Sequence, residues 1–147
     1  MALVRPHLEN VQIRATKLVD SLSNLSYTER LQKLNIPTLA HRRCRGAMIE
    51  LYKHFNVYSR DTLADSFQPR ERCTRSHDKQ LHERVPKDGV RGLQSNSFYY
   101  RYARIWNSLP AHVVDAESLN PFKNALDKHW KKEPSKYDHL YDTQSDS

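Results

Sequence analysis

Apolar side chains recur at three- and four-residue spacings in separate stretches that end at prolines or small polar residues. That pattern restricts the chain to short amphipathic helices. Leu8, Val11, Ala15, Leu18, Val19 and Leu22 form the first stripe, with Arg14 and Lys17 turned away from it, and predict a helix over residues 7–20. Ser26-Tyr27-Thr28-Glu29 has capping-box spacing, in which the serine hydroxyl accepts the Glu29 amide and the Glu29 carboxylate returns to the Ser26 amide. A second short helix should run from there to Leu34 and end at Asn35. Pro37 suits the first position of a third helix, because its missing N–H would have had no partner there. In that helix Leu39, Cys44, Met48, Leu51, Tyr52 and Phe55 make the buried stripe, while His41, Arg42, Arg43, Arg45 and Lys53 load the other faces with charge. Gly46 inside it costs about 1 kcal/mol relative to Ala, which predicts another backbone lying close at that point.

Periodicity fades from Asn56 to Arg72, the pattern of a linker. Weak strand signals around Gln80–Val85 lead into Pro86-Lys87-Asp88-Gly89, whose Asp-Gly pair forms turns, so a small hairpin is expected. Helical spacing returns with Phe98, Tyr102, Ile105, Trp106 and Leu109, predicting a helix over 97–107 that Pro110 stops. A last helix should start near Ser118 or Asn120, take Pro121 in its first turn, and bury Leu119, Phe122, Leu126 and Trp130. Residues 134–147 read as a disordered acidic tail. The expected fold is mainly α: a basic helical unit over 1–55, a linker over 56–73, a hairpin with aromatic helices over 74–133, and the tail.

Hydrophobic residues make up 37% of the 147, below the share usual in globular domains, so the core should be thin. The formal charge is +7, and it is unevenly spread. Residues 1–60 hold ten basic and four acidic side chains, residues 61–110 nine and six, and residues 111–147 five and seven. A phosphate-facing surface therefore belongs to the first half, where Arg14, Lys17, Arg30, Lys33, Arg42, Arg43 and Arg45 are the expected backbone contacts. The bland counterpart is a set of solvated helix faces. Tyr99, Tyr100 and Arg101 would give stacking surface for unpaired bases, or else belong to the core.

The longest apolar run, Met1–Val4, ends at Arg5 and forms neither a membrane span nor a signal core, so no membrane partner and an intracellular location, nuclear or cytoplasmic, are expected. Cys44 and Cys73 lack CxxC spacing and read as reduced thiols. Cys73, His77 and His82 have the spacing of three metal ligands but no evident fourth, so no metal and no cofactor are assigned. With three glycines, neither a P-loop nor a dinucleotide fingerprint is hidden, and no nucleophile elbow is present.

Several segments, in chain order, resemble the region downstream of the palm in reverse transcriptases of jockey and chicken-repeat type non-LTR retrotransposons. They are Leu3–Glu9, Gln12–Val19, Leu25–Leu31, Leu39–Tyr52 with its Arg42-Arg43-x-Arg45-Gly46 centre, Thr74-Arg75-Ser76-His77, Trp106-Asn107-Ser108-Leu109-Pro110 and Phe122–Trp130. The resemblance implies a thumb-like fragment that grips an RNA or DNA duplex or hybrid through phosphates, with a palm supplied, if at all, by another chain. Relatives carry a longer stretch between the first two segments, whereas here Glu9-Asn10-Val11-Gln12 joins them directly, and they usually have Gly where Ser76 stands. Reverse transcriptases hold two magnesium ions with palm aspartates that include an adjacent pair, and nowhere here are two acidic residues adjacent. No catalysis and no catalytic residue are therefore expected. The alternatives are a helical protein-interaction module, docking through the aromatic stripes of Phe98–Leu109 and Leu119–Trp130, or a retroelement remnant without a role.

Overall fold

The computed structural model describes residues 4–57, 77–81 and 98–132, with only the backbone described for residues 4–7, 98–101 and 132. The described chain is mainly α, and among these residues there is no strand. Among the described residues are six helices, α1 (Val4–Lys17), α2 (Tyr27–Leu34), α3 (Leu39–Asn56), α4 (Phe98–Ser108), α5 (Ala111–Val114) and α6 (Leu119–His129), with short 3-10 turns at Asp20–Leu22 and Trp130–Lys132. The chain forms two compact units, Met1–Arg45 with Trp130–Ser147, and Gly46–His129, so the division falls within α3 after Arg45. The expected linker beyond Val57, the hairpin beyond Leu81 and the acidic tail lie outside the described residues.

In the first unit α2 has both of its ends sealed. Ser26 Oγ accepts the Glu29 amide at 3.3 Å, and Glu29 Oε2 takes the Ser26 amide at 2.8 Å and its hydroxyl at 2.7 Å, the reciprocal box expected from the spacing. At the other end Asn35 turns left-handed, with φ 52°. There Ile36 N–H reaches Leu31 O and Asn35 N–H reaches Gln32 O, the paired bonds of a Schellman closure.

The first helix departs from expectation in start, end and facing. It spans Val4–Lys17, and its predicted buried stripe faces solvent: Val11 is 64% exposed and Leu18 83%, with Leu8, Ala15 and Val19 also exposed. Only Leu22, in the following 3-10 turn, is buried. The inward face is instead Glu9, Gln12, Ile13 and Thr16, spaced i, i+3, i+4, i+7. Periodicity identified the helix, but polar partners decided which side turned inward.

The third helix begins after Pro37 rather than at it. Thr38, fully buried, accepts the His41 amide on its hydroxyl at 3.1 Å, so Thr38 caps the helix and Pro37 lies outside. Of its expected stripe Met48, Leu51 and Tyr52 are buried, joined by Ala47, while Leu39, Cys44 and Phe55 are only half-buried. Gly46 is exposed, and a Cβ there would meet nothing within 4 Å. No second backbone approaches it, contrary to expectation.

The second unit is built around Trp106, which is fully buried on α4. Phe55 stacks on it at 5.4 Å, His77 meets it edge-on at 5.9 Å, and Phe122 of α6 lies tilted at 6.2 Å while stacking on Tyr52 at 4.3 Å. Polar bonds fix this aromatic cluster. The indole N–H donates to Lys79 O at 2.8 Å, and the Asn107 carboxamide both accepts from Leu81 N–H and donates to Leu81 O, each at 2.8 Å. Tyr52 Oη donates to Ala116 O at 2.5 Å. Pro110 ends α4 as expected, but the chain resumes at once as α5, where Val113 and Val114 are buried, an element that the spacing had not suggested. In α6 Phe122 and Leu126 are buried as predicted, and Leu119 is half-buried.

Two outcomes test these local accounts. Gly46→Ala should stabilise the fold by about 1 kcal/mol, since the added methyl has room and removes backbone freedom from the unfolded chain. The test is a raised denaturation midpoint with an unchanged urea slope. Hydrogen bonds from Ser26 hold the Glu29 carboxyl below its ordinary value. The folded value being depressed, the capping contribution is complete above the ordinary carboxylate range and lost as pH falls through the folded value. The stability difference between the native chain and Glu29→Gln should therefore shrink on acidification, as read by circular dichroism.

Candidate nucleic-acid interface

All seven cationic residues predicted to meet phosphate fall in the first unit. Four stand on its surface: Arg14 and Lys17 in the last turn of α1, Lys33 in the last turn of α2, and Arg42 on α3. Placement near helix C-termini explains the sites of the first three, since the macrodipole there favours positive charge. Arg43 is half-buried, with Nε donating to Leu39 O at 3.3 Å, and Arg45 is half-buried as well.

Arg30 is the exception and corrects the expectation. It is 5% exposed, and its guanidinium donates to Leu25 O at 2.6 Å, to Thr16 Oγ1 at 3.2 Å and to Ile13 O at 3.4 Å. It also lies 5.7 Å from the centre of the Tyr27 ring. These acceptors saturate a fork that would otherwise suit a phosphate, so Arg30 joins α1 to α2 and is withdrawn from the candidate contacts.

The same buried seam holds a carboxylate. Glu9, 6% exposed, accepts from Tyr27 Oη at 2.5 Å and from the Leu39 amide at 3.2 Å, so its charge sits at the N-terminus of α3, where the helix dipole stabilises an anion. Burial, then the hydrogen bond to Glu9, pushes the Tyr27 phenol well above its ordinary range, so Tyr27 remains the donor. Gln12 adds a bond from Nε2 to Pro37 O at 3.1 Å. Neither Glu9 nor Thr16 was singled out by sequence reasoning, because a polar residue on an amphipathic helix reads as a solvent-facing one.

Lys131 was missed for another reason. It is exposed and belongs to the first unit although it lies 86 positions after Arg45, a membership that no local pattern encodes. Trp130 beside it meets the His41 ring edge-on at 5.6 Å within that unit.

Of the other candidates, Tyr99, Tyr100 and Arg101 have side chains outside the described residues, as do Cys73 and His82. His77 is buried, and its Nε2 lies 3.2 Å from Trp106 O. A carbonyl only accepts, so Nε2 carries the proton there. Among the described residues no group of three or more His, Cys, Asp or Glu side chains is placed to hold a metal ion, and no helix is long and apolar enough to cross a membrane. Comparison with protein-family models, with curated proteins and with solved structures finds no match.

Burial divides the arginines into two classes that a stability measurement should separate. Arg30→Ala should cost about 1–3 kcal/mol, because it strands buried acceptors, whereas Arg42→Ala should stay within about 0.5 kcal/mol of the native chain. Urea unfolding of the two variants decides whether Arg30 is structural.

Proposed function

We propose that this chain is a thumb-like, post-palm fragment of a non-LTR retrotransposon reverse transcriptase, retaining primer and template contact and no catalysis. The reading rests first on the ordered run of resembling segments from Leu3–Glu9 to Phe122–Trp130. The observation that carries it structurally is the display of exposed cations on one compact unit: Arg14, Lys17, Lys33 and Arg42, with Lys131 added. Residues 1–45 hold eight basic side chains and three acids, and burial takes one of each from the surface, Arg30 and Glu9, so the outward charge of this stretch stays strongly positive. Such a surface meets a phosphate chain by releasing counterions, independent of base sequence.

The resembling segments of the second half fit an architectural role. His77, Trp106 and Phe122 meet in one buried cluster, and the half-buried Asn107 is bonded to the main chain of Leu81. That arrangement also weakens the alternative of a docking module working through the aromatic stripes, since Trp106, Leu109, Phe122 and Leu126 are already covered within their own unit. The chain has no adjacent pair of acidic residues of the kind a two-metal polymerase centre uses, so in this reading any nucleotide chemistry is supplied by another chain.

Titration of the full chain with a duplex or an RNA–DNA hybrid tests the proposal. Affinity should fall several-fold on a modest salt increase, and Arg42→Ala or Arg14→Ala should each reduce the log–log salt slope by about 1, independent of base sequence. Absence of binding at low salt would refute it.

A further inference from the structure

The chain crosses between its two units at two places, after Arg45 within α3 and after His129 at the end of α6. Both crossings coincide with a weak point in the helical backbone. Gly46 is the first residue beyond the α3 crossing, and glycine gives up more backbone freedom in a helix than any other residue. Close packing does not require it, since Gly46 is exposed and a Cβ there would meet nothing within 4 Å. At the other crossing α6 gives way to a 3-10 turn between His129 and Trp130, and Asp127, Lys128 and His129 just before it are exposed. Hydrogen bonds of a 3-10 turn have poorer geometry than those of an α-helix, so the junction yields more readily than the helix behind it.

The two halves of α3 are anchored in different units. From Leu39 to Arg45 no side chain is buried, and this half is held in the first unit near its start, where the Leu39 amide donates to Glu9 at 3.2 Å and the His41 ring meets Trp130 edge-on at 5.6 Å. Burial begins immediately beyond Gly46, with Ala47, Met48, Leu51 and Tyr52. That half is locked into the second unit by Tyr52, stacked on Phe122 and bonded to Ala116 O, and by Phe55, stacked on Trp106. A helix fixed at its ends in separate bodies bends most easily where it carries no side chain.

We propose that the two units reorient as separate bodies about a paired hinge formed by Gly46 and the His129–Trp130 junction. Hinges of this kind need only a few residues at element ends or weak points to absorb the change in backbone angles. Local opening of α3 at position 46 is about fivefold more frequent with glycine than with alanine, the ratio that corresponds to their difference in helix propensity. The first unit turns as a body, so Arg14, Lys17, Lys33, Arg42 and Lys131 change direction without changing their mutual arrangement.

Residual dipolar couplings of backbone amides, measured on the full-length chain in a neutral alignment medium without any polyanion, test the hinge separately from the nucleic-acid reading. Fitted apart, residues 8–45 and residues 47–56 with 102–129 should give alignment tensors of different magnitude in the native chain. Gly46→Ala should bring the two magnitudes together with unchanged far-ultraviolet circular dichroism, and exchange of the Glu50 amide, one helical turn beyond Gly46, should slow about fivefold. Adding Arg45→Gly to that variant returns a glycine to the crossing and should separate the tensors again, whereas adding Arg42→Gly, inside the first unit, should not. A common tensor in the native chain, a difference that Gly46→Ala leaves unchanged, or equal effects of the two added glycines would each overturn the proposal.

Discussion

A buried polar seam between the first two helices governs much of what the first unit can present. Glu9 and Arg30 are both withdrawn from water, and Tyr27 links them, its hydroxyl on the carboxylate and its ring beside the guanidinium. Removing an ion from water costs several kcal/mol, and charge-assisted hydrogen bonds return about 1.5–3 kcal/mol each, so neither group would stay buried without its full set of partners. The partners are spread over α3, α1 and the turn before α2: the Leu39 amide, the Ile13 carbonyl and Thr16 hydroxyl, and the Leu25 carbonyl. Satisfying them fixes the rotation of α1 about its axis, and that rotation leaves the apolar stripe outside.

The second unit follows a different logic. Its centre is an aromatic cluster whose shape is set by stacking and edge contacts, and its polar atoms are tied to main chain rather than to each other. Asn107 is the clearest case, pairing both hydrogen-bonding groups of Leu81 through one carboxamide. The Trp-Asn pair thus joins α4 to the segment around Lys79 and Leu81 without a sheet. Lys79 adds bonds to Asn56 and Asp115 at the surface, where their contribution is small. Among the described residues of this unit, Trp106, Asn107 and Phe122 are engaged in packing and in main-chain hydrogen bonds.

Function, in the proposed reading, is electrostatic and therefore resides in the basic unit. The cations that remain outside are those not needed to hold helices together, and Arg30 illustrates the distinction: the fork that would suit phosphate suits carbonyls equally well when buried. Charge patterning in the sequence located the positive half of the chain but could not sort structural from available arginines, because sorting them requires knowing which helix face is inward.

What the sequence determined alone is the local grammar. Helical spacing, the Ser26–Glu29 box, the Asn35 terminus and the stop at Pro110 all rest on interactions within a few residues, and the backbone obeys them wherever the helices go. Tertiary structure decided the rest: the inward turn of Glu9 and Thr16 in place of Leu8 and Val11, the loss of Arg30 to the interior, the open space at Gly46 and the arrival of Trp130 in the first unit. The physical reason is that the inward face of α1 is selected by partners for Glu9 that lie up to thirty residues away in the chain, which spacing within the helix does not encode.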